Sequence, residues 1–304
     1  MRLSDADIQK IVTTDAKRTP ERAWLADVPA VVLVQAVNDA HRAYRSWFDS
    51  MAKRGKRGRV GKPRFKTRRS RRQSIRFTRC GFRVTTRGVR LIKVGEVRLE
   101  WSRALPSTPS SMTLIREADG SYYVSFVVEI DETPLPECAT VAGIDLGLTN
   151  LVTVVRSDGE RQKIASPGHL RTAQRRIAKA QKALCRKQKG SRNREKARVR
   201  VARLHRKVRD TRLDHHHKLA LRLIRENQAI AVEDLPIAAL GRTRLAKSIH
   251  DAGWALLLRL LREKAARYGR SVVRVDRWTP TTRQCSMCRH NDGAKGTAAQ
   301  VGDS

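Results

Sequence analysis

Val141-Ala-Gly-Ile-Asp145-Leu-Gly-Leu-Thr-Asn150 and Ala229-Ile-Ala-Val-Glu233-Asp-Leu235 are two short apolar runs that each end on an acid. In an extended strand alternate side chains share a face. Ile144 and Leu146 therefore point one way, while Asp145 shares its face with Gly143. In the second run Val232 and Asp234 share one face, and Glu233 shares the other with Ala229 and Ala231. Each carboxylate thus has small neighbours, which leaves room for an ion and a phosphate. Hard oxygen ligands suit Mg²⁺ or Mn²⁺, and two such ions can activate a water and stabilise the leaving oxygen of a phosphodiester. Taken singly, each acid is an ordinary strand-end residue at a sheet rim. What joins them is residues 171–212, with eighteen Lys/Arg against Glu195 and Asp210 alone. Two carboxylates on neighbouring strands with a phosphate-binding stretch between them point to a metal-dependent enzyme acting on nucleic acid. Asp234 reads as a strand-end turn residue.

The whole chain agrees in charge. Lys and Arg number 65 against 29 acids in 304 residues, a net charge of +36. Such an excess on a folded protein selects a polyanion, with nucleic acid first. No apolar run approaches the ~20 residues a membrane span needs, and Met1-Arg-Leu-Ser-Asp-Ala-Asp has no signal-peptide pattern. A cytoplasmic, nucleoid-associated protein without a membrane partner is expected. The five cysteines fit that compartment, because only Cys285 and Cys288 are paired in sequence and no disulfide framework is suggested.

Outward from the two acids, periodicity organises the rest. Residues 5–52 are expected to be helical, with Val31, Val34, Val37, Ala40, Tyr44, Trp47 and Phe48 on one face. Residues 53–76 carry thirteen Lys/Arg and no acid, and Gly55, Gly58, Gly61 and Pro63 make them a basic arm rather than a helix. From Ile75 to Ile130 the period is two, which predicts a small antiparallel sheet or open barrel, with Trp101 continuing the strand of Val97 and Leu99. Thr133-Pro-Leu-Pro-Glu137 reads as a linker. Residues 141–164 read as strands with a hairpin turn at Ser157-Asp-Gly159. Two long helices broken near Gly190-Ser191 are expected over 171–212, and a third from Leu213 to Glu226. A strand with Glu233, a helix over Trp254–Tyr268 with Trp254, Leu257, Leu258, Leu261 and Tyr268 as core, and a strand Ser271–Val275 complete a mixed α/β sheet.

Gly143-Ile-Asp-Leu-Gly147, Val232-Glu-Asp-Leu235, Asp251-Ala-Gly-Trp254 and Trp278-Thr-Pro-Thr-Thr-Arg-Gln-Cys-Ser-Met-Cys288 together resemble the TnpB (OrfB-type) proteins of insertion sequences, relatives of the type V CRISPR effector nucleases. Gly61-Lys-Pro-Arg-Phe65 and Lys187-Gln-Lys-Gly190 extend the resemblance over nearly the whole chain. It implies an RNase H-like (RuvC-type) mixed sheet with a helical insert, cutting DNA under a guide RNA from the same element. Asp145 and Glu233 would be its catalytic, metal-binding carboxylates. It also implies a multidomain α/β and α+β fold: a helical recognition segment with basic arm over 1–70, a β wedge-like domain over 71–135, the nuclease domain over 139–278, and a zinc-ribbon remnant over 279–304.

The departures from the family are at the end. Members usually carry a second C-x-x-C and then a third catalytic aspartate, and here Arg289-His-Asn-Asp follows Cys288 and the sequence stops at Ser304. A closed zinc site wants four ligands. Cys285 and Cys288, even with His290, make an incomplete one, so Zn²⁺ is not expected to be held as the family holds it. Asp292 and Asp303 have no strand or helix pattern around them. The expectation is a truncated copy, short at the start as well, whose cleavage is impaired.

The nucleic-acid contacts are expected from Arg54, Arg57, Lys62, Arg64, Lys66, Arg68, Arg69, Arg71 and Arg72 in the arm. The helices should add Arg175, Arg176, Lys179, Lys182, Arg186, Lys187, Lys189, Arg192 and Arg194. His215-His216-His217 cannot converge on one ion from consecutive helical positions and is assigned to a basic face. Two function classes stay open: an RNA-guided DNA endonuclease, and a non-catalytic DNA- or RNA-binding regulator of transposition. A conventional transposase joining DNA ends is a third, weaker one.

Overall fold

The computed structural model describes residues 4–52, 60–65, 67 and 70–276. Contacts divide the chain into two units, Met1–Ile130 and Asp131–Ser304.

The first unit opens with a capping box. Ser4 Oγ accepts from Asp7 N at 3.2 Å, while Asp7 Oδ2 accepts from Ser4 N at 3.0 Å. Helix α1 (Asp5–Gln9) follows, continuing through a π turn at Lys10–Asp15 and 3₁₀ turns at Ala16–Arg18 and Pro20–Asp27. Helix α2 spans Ala30–Met51. The continuous helix expected over 5–52 is therefore broken twice, and proline is the reason. Thr19 and Val28 each precede one and are extended, with φ/ψ of −86/139 and −85/137, because proline's ring excludes the helical region from the residue before it. Six strands follow: β1 (Gln73–Thr78), β2 (Phe82–Val84), β3 (Gly88–Leu91), β4 (Gly95–Arg98), β5 (Ser111–Arg116) and β6 (Tyr122–Val127). They form two antiparallel three-stranded sheets, β1-β5-β6 and β2-β3-β4. Phe77, Val89, Leu91 and Met112 are the buried centre. Trp101 lies beyond the end of β4 and stacks on Phe126 with ring centroids 5.7 Å apart.

The second unit is built on one five-stranded sheet. Its strands are β7 (Val141–Asp145), β8 (Asn150–Arg156), β9 (Arg161–Ala165), β10 (Ala229–Glu233) and β11 (Ser271–Val275). Their order is β9-β8-β7-β10-β11. Strands β7, β8 and β9 form an antiparallel meander, whereas β10 runs parallel to both β7 and β11. Between β9 and β10 lie α3 (His169–Cys185) and α4 (Arg192–Glu226); between β10 and β11 lie α5 (Ile237–Leu240), α6 (Ala246–Ala252) and α7 (Trp254–Arg267). Helix α7 forms because Trp254, Leu257, Leu261 and Ala265 recur at three- and four-residue steps and bury one stripe. That stripe packs with Leu219, Ala220, Leu223 and Ile224 of α4 on the sheet face carrying Ala142, Ile144, Ile230 and Val232.

Two expectations need correction here. The helix expected to end near Leu213 does not; α4 runs unbroken for 35 residues. Leu213-Asp-His-His-His contains no glycine or proline to stop it, and Val208, His216, Leu219, Ala220 and Leu223 hold one buried stripe through the junction. The Pro-rich segment after the first unit is also more than a linker. Thr133 N donates to Arg267 O at 2.9 Å, Leu135 N to Tyr268 O at 3.1 Å, and Arg270 to Pro136 O at 2.5 Å. These bonds strap it to the end of α7. Among the described residues no helix is long and apolar enough to cross a membrane.

Candidate metal and nucleic-acid site

Asp145 is the last residue of β7 and Glu233 the last of β10. The parallel register pairs Ile144 with Val232, so Asp145 and Glu233 are each the next residue on neighbouring strands, whose backbones run about 4.8 Å apart. Ile144 and Val232 are 5 % and 2 % exposed, whereas both acids are exposed. The alternation read from the sequence thus puts the apolar residues into the core and both carboxylates on the opposite face. A side chain added at Gly143 would meet only Val155 O, at 3.9 Å, so the space beside Asp145 is open. Among the described residues neither carboxylate has a hydrogen-bond or ion-pair partner. Two bare carboxylates on neighbouring strand ends repel each other, and a divalent cation between them removes the repulsion.

The fit to a hard divalent cation is therefore good in ligand chemistry and incomplete in number. No group of three or more His, Cys, Asp or Glu able to hold a metal occurs among the described residues. Mg²⁺ tolerates this, since it is commonly held by one or two carboxylates together with waters and substrate phosphate oxygens. Asp234 is not a third ligand: Arg274 Nη1 donates to its Oδ1 at 3.3 Å and its N–H donates to Val275 O at 3.0 Å. Cys285, Cys288, His290, Asp292 and Asp303, and with them the zinc-remnant and third-carboxylate expectations, lie outside the described residues.

Glu233 also borders a cavity of about 870 Å³. Its walls include Val232, Leu235, Ile249, Trp254 and Val272, together with Arg212, Arg242, Arg262 and Arg274. Asp145 is not among its walls.

The basic stretch between the acids is a helical hairpin. Arg175, Arg176, Lys179, Lys182, Arg186, Lys187, Lys189 and Arg192 are all exposed, and among the described residues none has an acidic partner. Arg194 differs. It is half-buried, and its Nη1 donates to Leu184 O at 3.1 Å and Lys187 O at 2.8 Å, closing the α3–α4 turn, so it is a structural arginine rather than a free phosphate contact. In the first unit Lys62, Arg64 and Arg71 are exposed. Arg72 is ion-paired with Glu117 at 3.3 Å and so is less available to phosphate. Arg54, Arg57, Lys66, Arg68 and Arg69 lie outside the described residues.

The histidine run is not a uniform basic face. His216 is 1 % exposed, and its Nε2 lies 2.8 Å from Ala252 O. Burial pushes its pKa below the ordinary histidine value, outweighing that hydrogen bond. His215 packs edge-on against His169 with centroids 5.7 Å apart, and burial, then the neighbouring imidazole, lowers its pKa as well. Only His217 is exposed. Helical spacing to Leu219, Ala220 and Leu223 was the signal that His216 faces the core.

Two structural roles have no counterpart in the sequence reading. Asp251 caps α3, accepting from Leu170 N at 2.8 Å and Arg171 N at 3.1 Å. Trp254, read only as core, donates from Nε1 to Gly147 O at 3.2 Å.

Comparison with known proteins agrees with this layout. Residues 125–244 match the OrfB_IS605 family model, described as a probable transposase, and residues 254–301 match the Cas12f1-like TNB domain. A protein of Streptomyces pristinaespiralis named as an RNA-guided DNA endonuclease is 41% identical over 279 residues, covering 90% of this chain and 66% of its own. InsQ of Escherichia coli, named likewise, is 28% identical over 90% of this chain and 69% of its own. A Mycobacterium tuberculosis protein with the same designation is 28% identical over 88% of this chain. The chain spans 63% of that last relative's length and 66% of the first. With both acids inside the matched region and the Asp251–Trp254 segment running into the second match, the chain belongs to the TnpB (OrfB-type) family of insertion-sequence proteins.

Proposed function

We propose that this protein is a TnpB-type endonuclease that cuts DNA under the direction of an RNA from its own element. The observation that carries this reading is the pair Asp145 and Glu233, at the ends of two neighbouring parallel strands and without side-chain partners among the described residues, joined by a hairpin whose cations from Arg175 to Arg192 meet no acid among those residues. The mixed β9-β8-β7-β10-β11 sheet with its helical insert supports an RNase H-like core, and the two small sheets of the first unit support a wedge-like domain. A bound Mg²⁺ or Mn²⁺ would polarise the scissile phosphate and lower the pKa of an attacking water. Asp145 and Glu233 would fix that cation at the sheet edge. Arg175, Arg176, Lys179, Lys182, Arg186, Lys187, Lys189 and Arg192 would hold the phosphate backbone. A cytoplasmic site of action among nucleic acids suits the charge. The relatives' designations support the same activity.

The test is reconstitution with RNA transcribed from the element's end, a matched DNA target and Mg²⁺. Asp145→Ala and Glu233→Ala are each expected to abolish cutting, a loss of at least about 10³-fold, while nucleic-acid affinity stays within about twofold. Equal cutting by Asp145→Ala and the parent would refute the site. Tight, salt-dependent binding by a parent that never cuts would favour the non-catalytic regulator, whose phosphate contacts need no carboxylate.

A further inference from the structure

The turn after β7 is held more tightly than a surface turn requires. Gly147 lies two residues beyond Asp145. Its N–H donates to Leu151 O at 3.4 Å, and a side chain there would come within 2.6 Å of Asn150 O, so only glycine fits. Its carbonyl accepts from the indole Nε1 of Trp254 at 3.2 Å. Trp254 is 6 % exposed and also forms a wall of the cavity that Glu233 borders. One side chain therefore bonds the turn after β7 and lines the cavity that the end of β10 borders.

What precedes Trp254 is anchored residue by residue. Arg212 donates to His250 O at 2.6 Å, Asp251 caps α3, and His216 Nε2 meets Ala252 O. Gly253 takes the left-handed conformation, φ 69°, with the His216 ring 3.1 Å from where a side chain would begin. The indole is thus fixed before it reaches Gly147. A buried tryptophan N–H needs some acceptor, and here the acceptor belongs to the turn that orients Asp145.

Resting on the metal-site reading above, we infer that Trp254 is a positioning residue for the Asp145 carboxylate, acting through the carbonyl of Gly147. Removing the N–H while keeping an aromatic ring frees that carbonyl and lets the end of β7 move, so the two acids lose their common aim at one cation. The fold keeps its core, because the ring stays buried.

The experiment is Mn²⁺ titration of the full chain, followed by the loss of the free-ion electron paramagnetic resonance signal. Trp254→Phe is expected to weaken Asp145-dependent Mn²⁺ binding by about three- to tenfold, the size of one lost buried hydrogen bond. Nucleic-acid affinity should be unchanged. In an Asp145→Asn background the same substitution should have no further effect, because the two changes act on one site. Should Trp254→Phe not fold, replacing Trp254 by its benzothiophene isostere, which keeps the bicyclic ring and removes only the N–H, carries the same expectation. Unchanged Mn²⁺ affinity in the folded variant overturns the inference and leaves the carboxylate site standing, as does an equal loss in the Asp145→Asn background. A parent with no Asp145-dependent Mn²⁺ binding overturns the site itself, and this inference with it.

Discussion

The two units place their apolar residues very differently. In the first, α2 runs for 22 residues without burying one of them, and Phe48 and Met51 are 53 % and 50 % exposed. In the second, α7 buries Trp254, Leu257, Leu260, Leu261 and Ala265 within 14 residues. On the function proposed above, the contrast matches what each unit would have to hold. Two carboxylates must be fixed to within a fraction of an ångström to share an ion, and they sit on strands backed by a continuous core. Contact with a charged polymer tolerates far looser geometry, since phosphate attraction is long-ranged and weakly directional. The deeper burial lies behind the proposed metal site.

The largest test of that contrast is by truncation. Leu257→Ala should destabilise the second unit by about 2–5 kcal/mol, because the site is fully buried and collapses poorly. Phe48→Ala should change stability by no more than about 0.5 kcal/mol, as for an exposed position. Denaturant midpoints compare the two, and a Phe48→Ala loss as large as that of Leu257→Ala would break the comparison.

A second test separates free cations from occupied ones. Replacing Lys179, Lys182 and Arg186 together by Gln should reduce the log–log salt slope of duplex-DNA binding by up to about 2.7, at roughly 0.9 per phosphate contact. Arg72→Gln should shift it less than any single one of these, because its guanidinium already meets Glu117. Equal shifts per residue would show that the ion pair opens when nucleic acid binds.

The smallest effect is on pH dependence. His216, His215 and His169 all have pKa values lowered by burial from the ordinary 6.5. Below 6.5 the unfolded chain therefore binds protons that the folded chain does not. Stability is full above that pH and declines as pH falls toward the folded values. Asp251, Asp214, Arg212 and Arg222 face this cluster, and the acids moderate the decline. Thermal unfolding of His216→Leu from pH 7.5 to 5.5 should be flatter than that of the parent, and parallel curves would remove His216 from the account.

The sheet and the acid pair were legible in the sequence because a strand has a two-residue period, and Gly143 and Ala231 announce an open face beside the carboxylates. Core helix α7 was legible for a similar reason, its leucines repeating at helical steps. Other features were hidden by mechanism. The continuity of α4 was obscured because its basic surface pattern changes at Leu213 while its buried stripe does not. Residue type points His216 to the surface, although its spacing to Leu219 and Leu223 is that of a core position. The roles of Asp251 and Trp254 depend on partners 81 and 107 residues away, and no local pattern carries such pairings.

Helix α4 has a further consequence for how such proteins diversify. At 35 residues it is about 52 Å long, yet none of its residues from Arg192 to Lys207 is buried. That outer portion meets α3 across the turn containing Lys187 and Lys189. Seven residues added to each arm would lengthen the hairpin by about 10.5 Å, roughly three phosphates along one DNA strand, and leave β7 and β10 untouched. On the function proposed above, the hairpin would act as a ruler whose length can be reset by insertion or deletion in multiples of two helical turns, so the size of the footprint on a nucleic acid could evolve independently of the place where the strand is cut.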